Sequence, residues 1–456
     1  MAGMRTGVLA AGVIAMLILA TGCPALRPKG EKEERNRMME AGRDYVKPIE
    51  IPALSAVPAP EEYVRLAFVT NSNLQARYWE WRSAIERVPV VSSWPNVAVP
   101  FSLLLGAGGG GLWDRTTLGL ANDPMTDIPY PTKLTSAGRR SLQEARAVGL
   151  RFEAARFELQ RAVLTTCYDL ALLGESLRIQ EENVSLLRLT VRQMASRVGT
   201  AGGAQQELLK AQTDLDLAEN ELANLQSQQA PLAAKMNALI GRAASEPVPL
   251  PPALPAPRTL PLADDQLIQL GAERNQELAA LARDVAGKRE ALTLAKRQRL
   301  PDFSLSASLT GGVTGALGGM VVLPTRREAI QAGIKQARAE LQTARAAQAQ
   351  YQRDLATSFV LNLVLLRNNE RQIALFQDAI IPRARQITRV VQSAYASGGA
   401  RYTELLDAQR TLLEARLTVA QLQMEREKAL ASIEATAAVD VAAMKSPCES
   451  EHASSQ

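Results

Sequence analysis

The 456-residue sequence predicts a mainly α-helical protein with a small β part, laid out as two repeats of helix, two strands, long helix and helix. Three observations predict it. The stretch GGAQQELLKAQTDL (202–215) returns, one residue longer, as GGARYTELLDAQRTL (398–412). Glu207, Leu208, Leu209, Ala211, Gln212 and Leu215 thus recur 197 positions later as Glu404, Leu405, Leu406, Ala408, Gln409 and Leu412. Such self-similarity makes a chain of this length one architecture built from repeats. Aromatic residues are only 4% while Ala, Leu, Gln, Arg and Glu dominate, which suits long helices packed along seams better than a rounded core. Finally, period-two alternation occurs at matching points of the two halves, and there only.

The elements follow in order. MAGMRTGVLAAGVIAMLILATGC has one positive charge, Arg5, then an apolar run from Gly7 to Ala20, which reads as an export signal. Leu19-Ala20-Thr21-Gly22-Cys23 resembles a bacterial lipobox, in which the peptide is cut before the Cys and the thiol is acylated. Residues 1–22 are then a lipoprotein signal peptide and Cys23 the lipidated N-terminus. An ordinary signal peptide cut at Ala20 or Gly22, or an uncleaved anchor, would carry the same run. Pro24, not Asp, follows, which by resemblance to bacterial lipoproteins argues against retention at the inner membrane. Residues 23–59 are charged and then Pro-rich, a composition that predicts an extended, lipid-anchored tether.

The first repeat is expected over 60–245. A helix runs from 60 to 88 through Tyr63, Leu66, Leu74, Tyr78, Trp81 and Ile85 until Pro89. Val97, Val99, Phe101, Leu103 and Leu105 alternate as a strand, GAGGGG turns the chain, and Thr116–Ala121 returns. Pro100 marks a bulge or an edge, and no Lys-Ser/Thr follows the glycines, which reads them as a turn and not a phosphate cradle. From Ser136 a helix runs unbroken to Gly199. Leu170, Leu177, Val184, Val191 and Val198 recur every seven residues, with Leu173, Leu187 and Met194 three further on, which is a heptad seam. Leu172, Ile179 and Leu186 form a second seam, so this helix needs neighbours on both sides. Beyond the glycines, a helix over 204–241 sets Leu208, Leu215, Leu222 and Met236 beside Ala211, Ala218, Leu225, Leu232 and Leu239.

The Pro-rich stretch at 246–262 divides the halves. The second repeat, 263–438, restarts with Asn275, Leu278 and Ala280 echoing Asn71, Leu74 and Ala76. Phe303, Leu305, Ala307 and Leu309 alternate with Ser304, Ser306, Ser308 and Thr310, as in strands with one face on lipid and one on a wet lumen, or in a half-buried soluble sheet. The export signal favours the barrel. One long helix spans 326–397 and a returning helix 401–438, where Leu405, Leu412, Val419 and Ile433 pair with Ala408, Ala415, Leu422 and Ala429. In each half two short helices laid end to end match the long one; residues 136–199 span roughly 96 Å at 1.5 Å per residue. Residues 439–456 read as a disordered tail.

Several function classes drop out. Removing residues 1–22 takes away one Arg and no acid, so the net charge of +5 becomes +4, close to neutral for the length. No basic stripe interleaved with aromatics appears, which argues against nucleic acid. Cys167 and Cys448 read as a buried thiol and a tail thiol, not a disulfide framework. The one histidine, His452, lies in the tail, and no nucleophile motif, metal-ligand pair or cofactor motif is present. The protein is expected not to be an enzyme and to need no cofactor or metal.

IIPRARQITRVVQSAYASGGARYTELLDAQRTLLEARL (380–417) resembles the most recognisable stretch of the TolC-type outer-membrane factor family, with its helix, Gly turn and L-L-D-A-Q-x-x-L-L-E-A. DIPYPTKL and CYDLALLGESLRIQEENVSLL are similar to its first half, and the likeness covers about 60–438. The resemblance implies a homotrimer in the bacterial outer membrane, with four strands per chain closing a 12-stranded transmembrane barrel continued by a periplasmic α-helical barrel. Val97, Phe101, Phe303, Leu305 and Leu309 would then belong to barrel strands. It implies partnership with a periplasmic adaptor protein and an inner-membrane pump, and passive gated export as the activity. The turns at Gly199, Gly202, Gly203, Gly398 and Gly399 would form the periplasmic tip. Glu404 and Asp407 occupy the positions where the family places lumen-facing acids; Tyr395 and Arg401 could clamp the closed state, Arg401 being one residue out of phase. A solvated helix face would carry the same two acids. The alternative function is a periplasmic, lipid-anchored coiled-coil adaptor or scaffold, which would not need two matched hairpins. The first half leans toward metal-export members, yet one His and no Met cluster offer the duct no metal site.

Overall fold

A computed structural model describes residues 25–46, 54–98, 101–103, 116–122, 128–198, 205–258, 263–310 and 314–439. Cys23 and the signal peptide, the glycines at 106–111 and 199–203, Cys448 and the tail lie outside them. In the first half the order is α1 (Glu31–Ala41), α2 (Arg43–Val46), α3 (Pro60–Thr70), α4 (Ser72–Ser92), β1 (Val97–Ala98), β2 (Phe101–Leu103), β3 (Thr116–Asn122), α5 (Pro131–Val198), α6 (Gln205–Ser227) and α7 (Gln229–Leu239). The second half continues with α8 (Asp264–Arg274), α9 (Gln276–Arg297), β4 (Asp302–Thr310), β5 (Thr314–Val322), α10 (Arg327–Leu375), a π turn (Phe376–Ile380), α11 (Ile381–Ala396) and α12 (Tyr402–Ala437). Two compact units are distinguished: Met1–Arg43, Arg77–Arg151 and Glu277–Tyr351 in one, Asp44–Ala76, Phe152–Gln276 and Gln352–Gln456 in the other.

The first unit holds the sheet. β4 and β5 form an antiparallel hairpin from Asp302 opposite Val322 to Thr310 opposite Thr314. β3 pairs with β4, and Leu118, opposite both Leu309 and Phe101, shows that its other edge is taken by β2 and β1. A bridge from Ile128 to Phe303 fastens the segment before α5 to the start of β4, with N to O distances of 2.6 and 2.9 Å. Asp302 seals this corner: it accepts from the Tyr130 amide at 3.1 Å and from the buried Lys133 ammonium at 2.8 and 2.9 Å. Trp81, Ile85 and Val88 are fully buried on one face of α4. Each such side chain contributes about 1.5–3 kcal/mol of transfer free energy.

Three expectations need correction in this unit. Residues 31–46 are not extended: α1 packs with Met38 buried, and Arg35 joins Glu31 at 2.8 Å and Glu86 of α4 at 2.5 Å. Two ion pairs and one apolar anchor add to the high helix propensity of the Glu, Lys, Arg and Met residues of α1. The helix before the sheet does not stop at Pro89 but runs to Ser92, the Ser92 and Ser93 hydroxyls donating to Val88 O and Pro89 O in the turn that proline disturbs. The long helix starts at Pro131 rather than Ser136, because proline at the first helical position gives up no intrahelical bond.

The second unit is all helical. The first α5 seam is buried at Leu170, Leu177, Val184, Leu187 and Met194, and the α12 seam at Leu405, Ala408, Ala415, Val419, Leu422 and Ala429, whereas of the second α5 seam Ile179 is buried and Leu186 exposed. Cys167 is buried, and burial pushes its thiol up to about 12, so it stays protonated. Asn71 divides α3 from α4, its amide donating to Leu239 O at 2.9 Å; Asn275 divides α8 from α9 and donates to Thr436 O at 2.8 Å. The expected unbroken helix over 326–397 is also interrupted. Pro382 has no N–H to return, and the turn before it widens so that the Ile381 amide reaches Phe376 O.

The Pro-rich stretch between the halves does more than divide them. Arg258 enters the helical layer, its Nε donating to Glu427 at 2.9 Å and its Nη1 to Glu434 at 2.9 and 3.0 Å, while both glutamates are 2% exposed. Arg426 donates to Arg258 O at 2.8 Å and to Glu370 at 3.0 Å. Burial opposes the charge on Arg258, but Glu434, Tyr168 and Glu427 together outweigh it and the guanidinium pKa is raised. Arg258→Ala takes the guanidinium from two buried carboxylates, of which Glu427 keeps Arg426, and is expected to cost about 3–5 kcal/mol, read as a lowered thermal midpoint. Adding Glu434→Gln to that variant should recover part of the loss.

Candidate functional site

The repeated motif places a turn between α11 and α12. Gly398 sits at φ +79°, the left-handed region that an L side chain enters at a cost. This allows the Gly399 amide to donate to Ala394 O at 2.8 Å and the Gly398 amide to Tyr395 O at 3.2 Å, which closes α11 in a Schellman motif. Arg401 is extended and its carbonyl accepts the Glu404 and Leu405 amides at 3.2 and 3.3 Å, starting α12. A small apolar cluster supports the turn: Val184, Leu187 and Met194 from α5, Ala211 and Ala218 from α6, and Tyr402 and Leu406 from α12, with Tyr395 packed against it.

Inside that cluster lies a charged group. Asp214 of α6, 9% exposed, accepts from the Tyr402 hydroxyl at 3.2 Å and from Arg410 Nη2 at 2.9 Å. Burial, and after it the Asp214 charge, raises the Tyr402 pKa, which keeps the phenol a donor. One turn further, Arg416 reaches Glu182 of α5 at 2.8 Å, and Glu182 also meets Arg178 at 2.6 Å. The Arg416 hydrogen bond holds the Glu182 carboxyl below its ordinary value. On its other side α12 meets α11, where the Thr388 hydroxyl donates to Ala408 O at 3.2 Å and Ile381 packs on Ala415 and Val419.

Glu404 and Asp407 are exposed on α12 while Leu405, Leu406 and Ala408 are buried, and neither carboxylate meets a cation among the described residues. Arg401 is exposed beside the turn. The bonds from α12 to the first half run through Tyr402, Arg410, Arg416 and Lys428. Asp214, Tyr402 and Arg410 were not singled out from sequence. Their signal was present in Asp214 alone, which falls on the buried stripe Ala211, Asp214, Ala218, a spacing at which an acid needs a partner. Neither Asp214 nor Arg410 has its like in the other copy, where Thr411 and Thr213 stand.

Of the strand residues, Val97 lies in β1, Phe101 in β2, and Phe303, Leu305 and Leu309 in β4. Leu305 is 60% exposed and Phe303 half-buried. Apolar residues are also exposed on helices of the second unit, Leu361 (65%) and Val364 (62%) on α10 and Ile387 and Val390 on α11 among them. No helix among the described residues is long and apolar enough to cross a membrane, and no cluster of His, Cys, Asp and Glu there could hold a metal ion.

No protein-family profile matches the sequence, and no curated protein does. Solved structures do. The outer membrane protein VceC of Vibrio cholerae matches with a TM-score of 0.70 at 17% identity, over 83% of this chain and 96% of its own. The CmeC outer membrane channel of Campylobacter jejuni gives 0.71 at 13%, over 87% and 89%, and the MtrE outer membrane channel of Neisseria gonorrhoeae 0.71 at 16%, over 86% and 94%. The chain has the fold of these channels.

Asp214→Ala strands a buried phenol and is expected to cost about 1–3 kcal/mol of stability in thermal unfolding, with Arg410→Ala costing less because its side chain is half exposed. The Glu182–Arg416 link should be at full strength above pH 4.5, the carboxyl's ordinary value, and fade as pH falls through the lowered value. Unfolding of Glu182→Gln followed from pH 7 to pH 3 should show a shallower acid loss than the parent.

Proposed function

We propose that this chain is the outer-membrane channel component of a tripartite efflux or secretion system, a passive gated duct that catalyses no reaction. The observation that carries the reading is the sheet. Its registers put Phe303, Leu305 and Val321 on one face and Ser304, Ser306 and Ser308 on the other, with Leu305 and Val321 exposed. Among the described residues, β5 is paired only along β4, and β1 and β2 only along β3. A sheet with two free edges cannot lie in hydrocarbon, since each unpaired backbone group there costs several kcal/mol. Copies of the same chain close it: three copies of a sheet four strands wide give a 12-stranded barrel, and the helical repeats continue it into the periplasm. The exposed apolar residues of α10 and α11 are then subunit contacts. Likeness in fold to solved outer membrane channels supports the same reading.

In this reading Cys23 carries the lipid anchor, and the turns at Gly398–Gly399 and at Gly199, Gly202 and Gly203 form the periplasmic end, which meets the adaptor protein and through it the inner-membrane pump. Glu404 and Asp407 each become a ring of three carboxylates, which favours cations. Tyr395 and Arg401 flank that ring.

The mature protein, extracted in detergent, is expected to have the mass of a trimer and to conduct in planar bilayers with cations preferred. Glu404→Gln with Asp407→Asn should move the cation-to-anion permeability ratio toward unity while the trimer persists. A monomer, or a thin rod in negative stain, would overturn the duct and leave the lipid-anchored scaffold.

A further inference from the structure

The end of the sheet where β4 begins and β5 ends has an order of chemistries that the duct itself does not require. Leu305, Val321 and Leu323 are 60%, 55% and 67% exposed, and the register places the first two on one face with Phe303. Phe303 lies 6.2 Å from Tyr130, centroid to centroid, at the point where the strand ends. Cations follow at once: residues 295–303 and 323–330 hold five Lys and Arg against two carboxylates, in a chain whose total charge is only +5. Asp302, one of the two, is taken by Lys133 at 2.8 Å. Lys296, Arg299, Arg326 and Arg327 are exposed and have no carboxylate partner among the described residues. A groove of about 450 Å³ opens here, lined by Lys133, Gln298, Asp302, Leu323, Thr325 and Arg326.

Exposed aliphatic residues, an aromatic pair and then unneutralised guanidinium groups, in that order along one edge, match the layers of a lipid leaflet: chain, interface, phosphate. We propose that this groove, which Arg326 lines and Arg299 and Arg327 flank in sequence, binds the phosphate headgroup of an acidic phospholipid in the leaflet facing the helices, with an acyl chain along Leu323. The inference rests on the proposed membrane-spanning role of the sheet. Charge complementarity selects the partner. A zwitterionic headgroup brings its own cation to the rim, whereas an acidic one brings net negative charge to guanidinium groups that lack an anion.

The test is native mass spectrometry of the full-length detergent-extracted protein given phosphatidylglycerol or phosphatidylcholine, beside Arg299→Gln, Arg326→Gln and Arg327→Gln combined. The parent should retain phosphatidylglycerol preferentially, with the preference falling roughly fivefold for each cation removed. Millimolar inorganic phosphate should not displace the lipid. Equal retention of the two lipids, an unchanged preference in the triple variant, or displacement by phosphate alone would each overturn the lipid site. Planar-bilayer conductance in phosphatidylcholine separates the two levels: a conducting trimer without lipid preference loses only this inference, while a protein that neither assembles nor conducts sinks the duct as well.

Discussion

Long helices that meet along Ala-rich seams pack closely but have little to fix their register, because one small residue fits a groove about as well as the next. Buried polar groups supply what the seams lack. Asn71 and Asn275 each end one short helix and hydrogen-bond the end of another, Arg258 is held between two glutamates seven residues apart, and Asp214 takes a phenol and a guanidinium from α12. A slip of one residue in any of these pairings would leave a buried charge or amide without a partner, which costs far more than a slipped methyl group. The rest of the helical packing depends on that penalty.

The polar ties differ in how far they show in a sequence. The two asparagines were visible as part of a recurring Asn, Leu, Ala pattern, since both copies solve the same problem with the same residue. Arg258 lies in a stretch whose prolines overwhelm every other signal, and its partners are 169 and 176 residues away. Nothing local to either glutamate marks it as buried. The main seams and the Gly398–Gly399 turn were legible because periodicity and backbone conformation are local properties. The expectations that failed did so at prolines, and at the N-terminal segment, where the charge of residues 31–41 hides a run of good helix formers. Glu31 and Glu34 look like solvated acids in sequence, yet Glu31 is 2% and Glu34 7% exposed beneath Arg35 and Arg146.

The two halves carry the same elements but are not electrically equivalent at the turn they share. The second copy presents Glu404 and Asp407 to solvent, whereas the first has Glu207 and Lys210 at those positions. Conversely, the buried acid is in the first copy and its partners are in the second. A duplicated backbone has thus been given complementary charges, which ties unlike helices together and leaves the unpaired acids on one of them.

The π turn before Pro382 has a geometric consequence for the exposed face. Leu361 and Ile387 are 26 residues apart, as are Val364 and Val390, whereas seven regular turns take about 25. In an uninterrupted α-helix the later pair would be rotated by about 80°, a little under a quarter of a turn, from the earlier one. The wide turn at Phe376–Ile380 absorbs the extra residue and returns all four to one line. Proline, usually a source of disorder in a long helix, here acts as a phase corrector that lets one apolar stripe continue past a break in its hydrogen bonding.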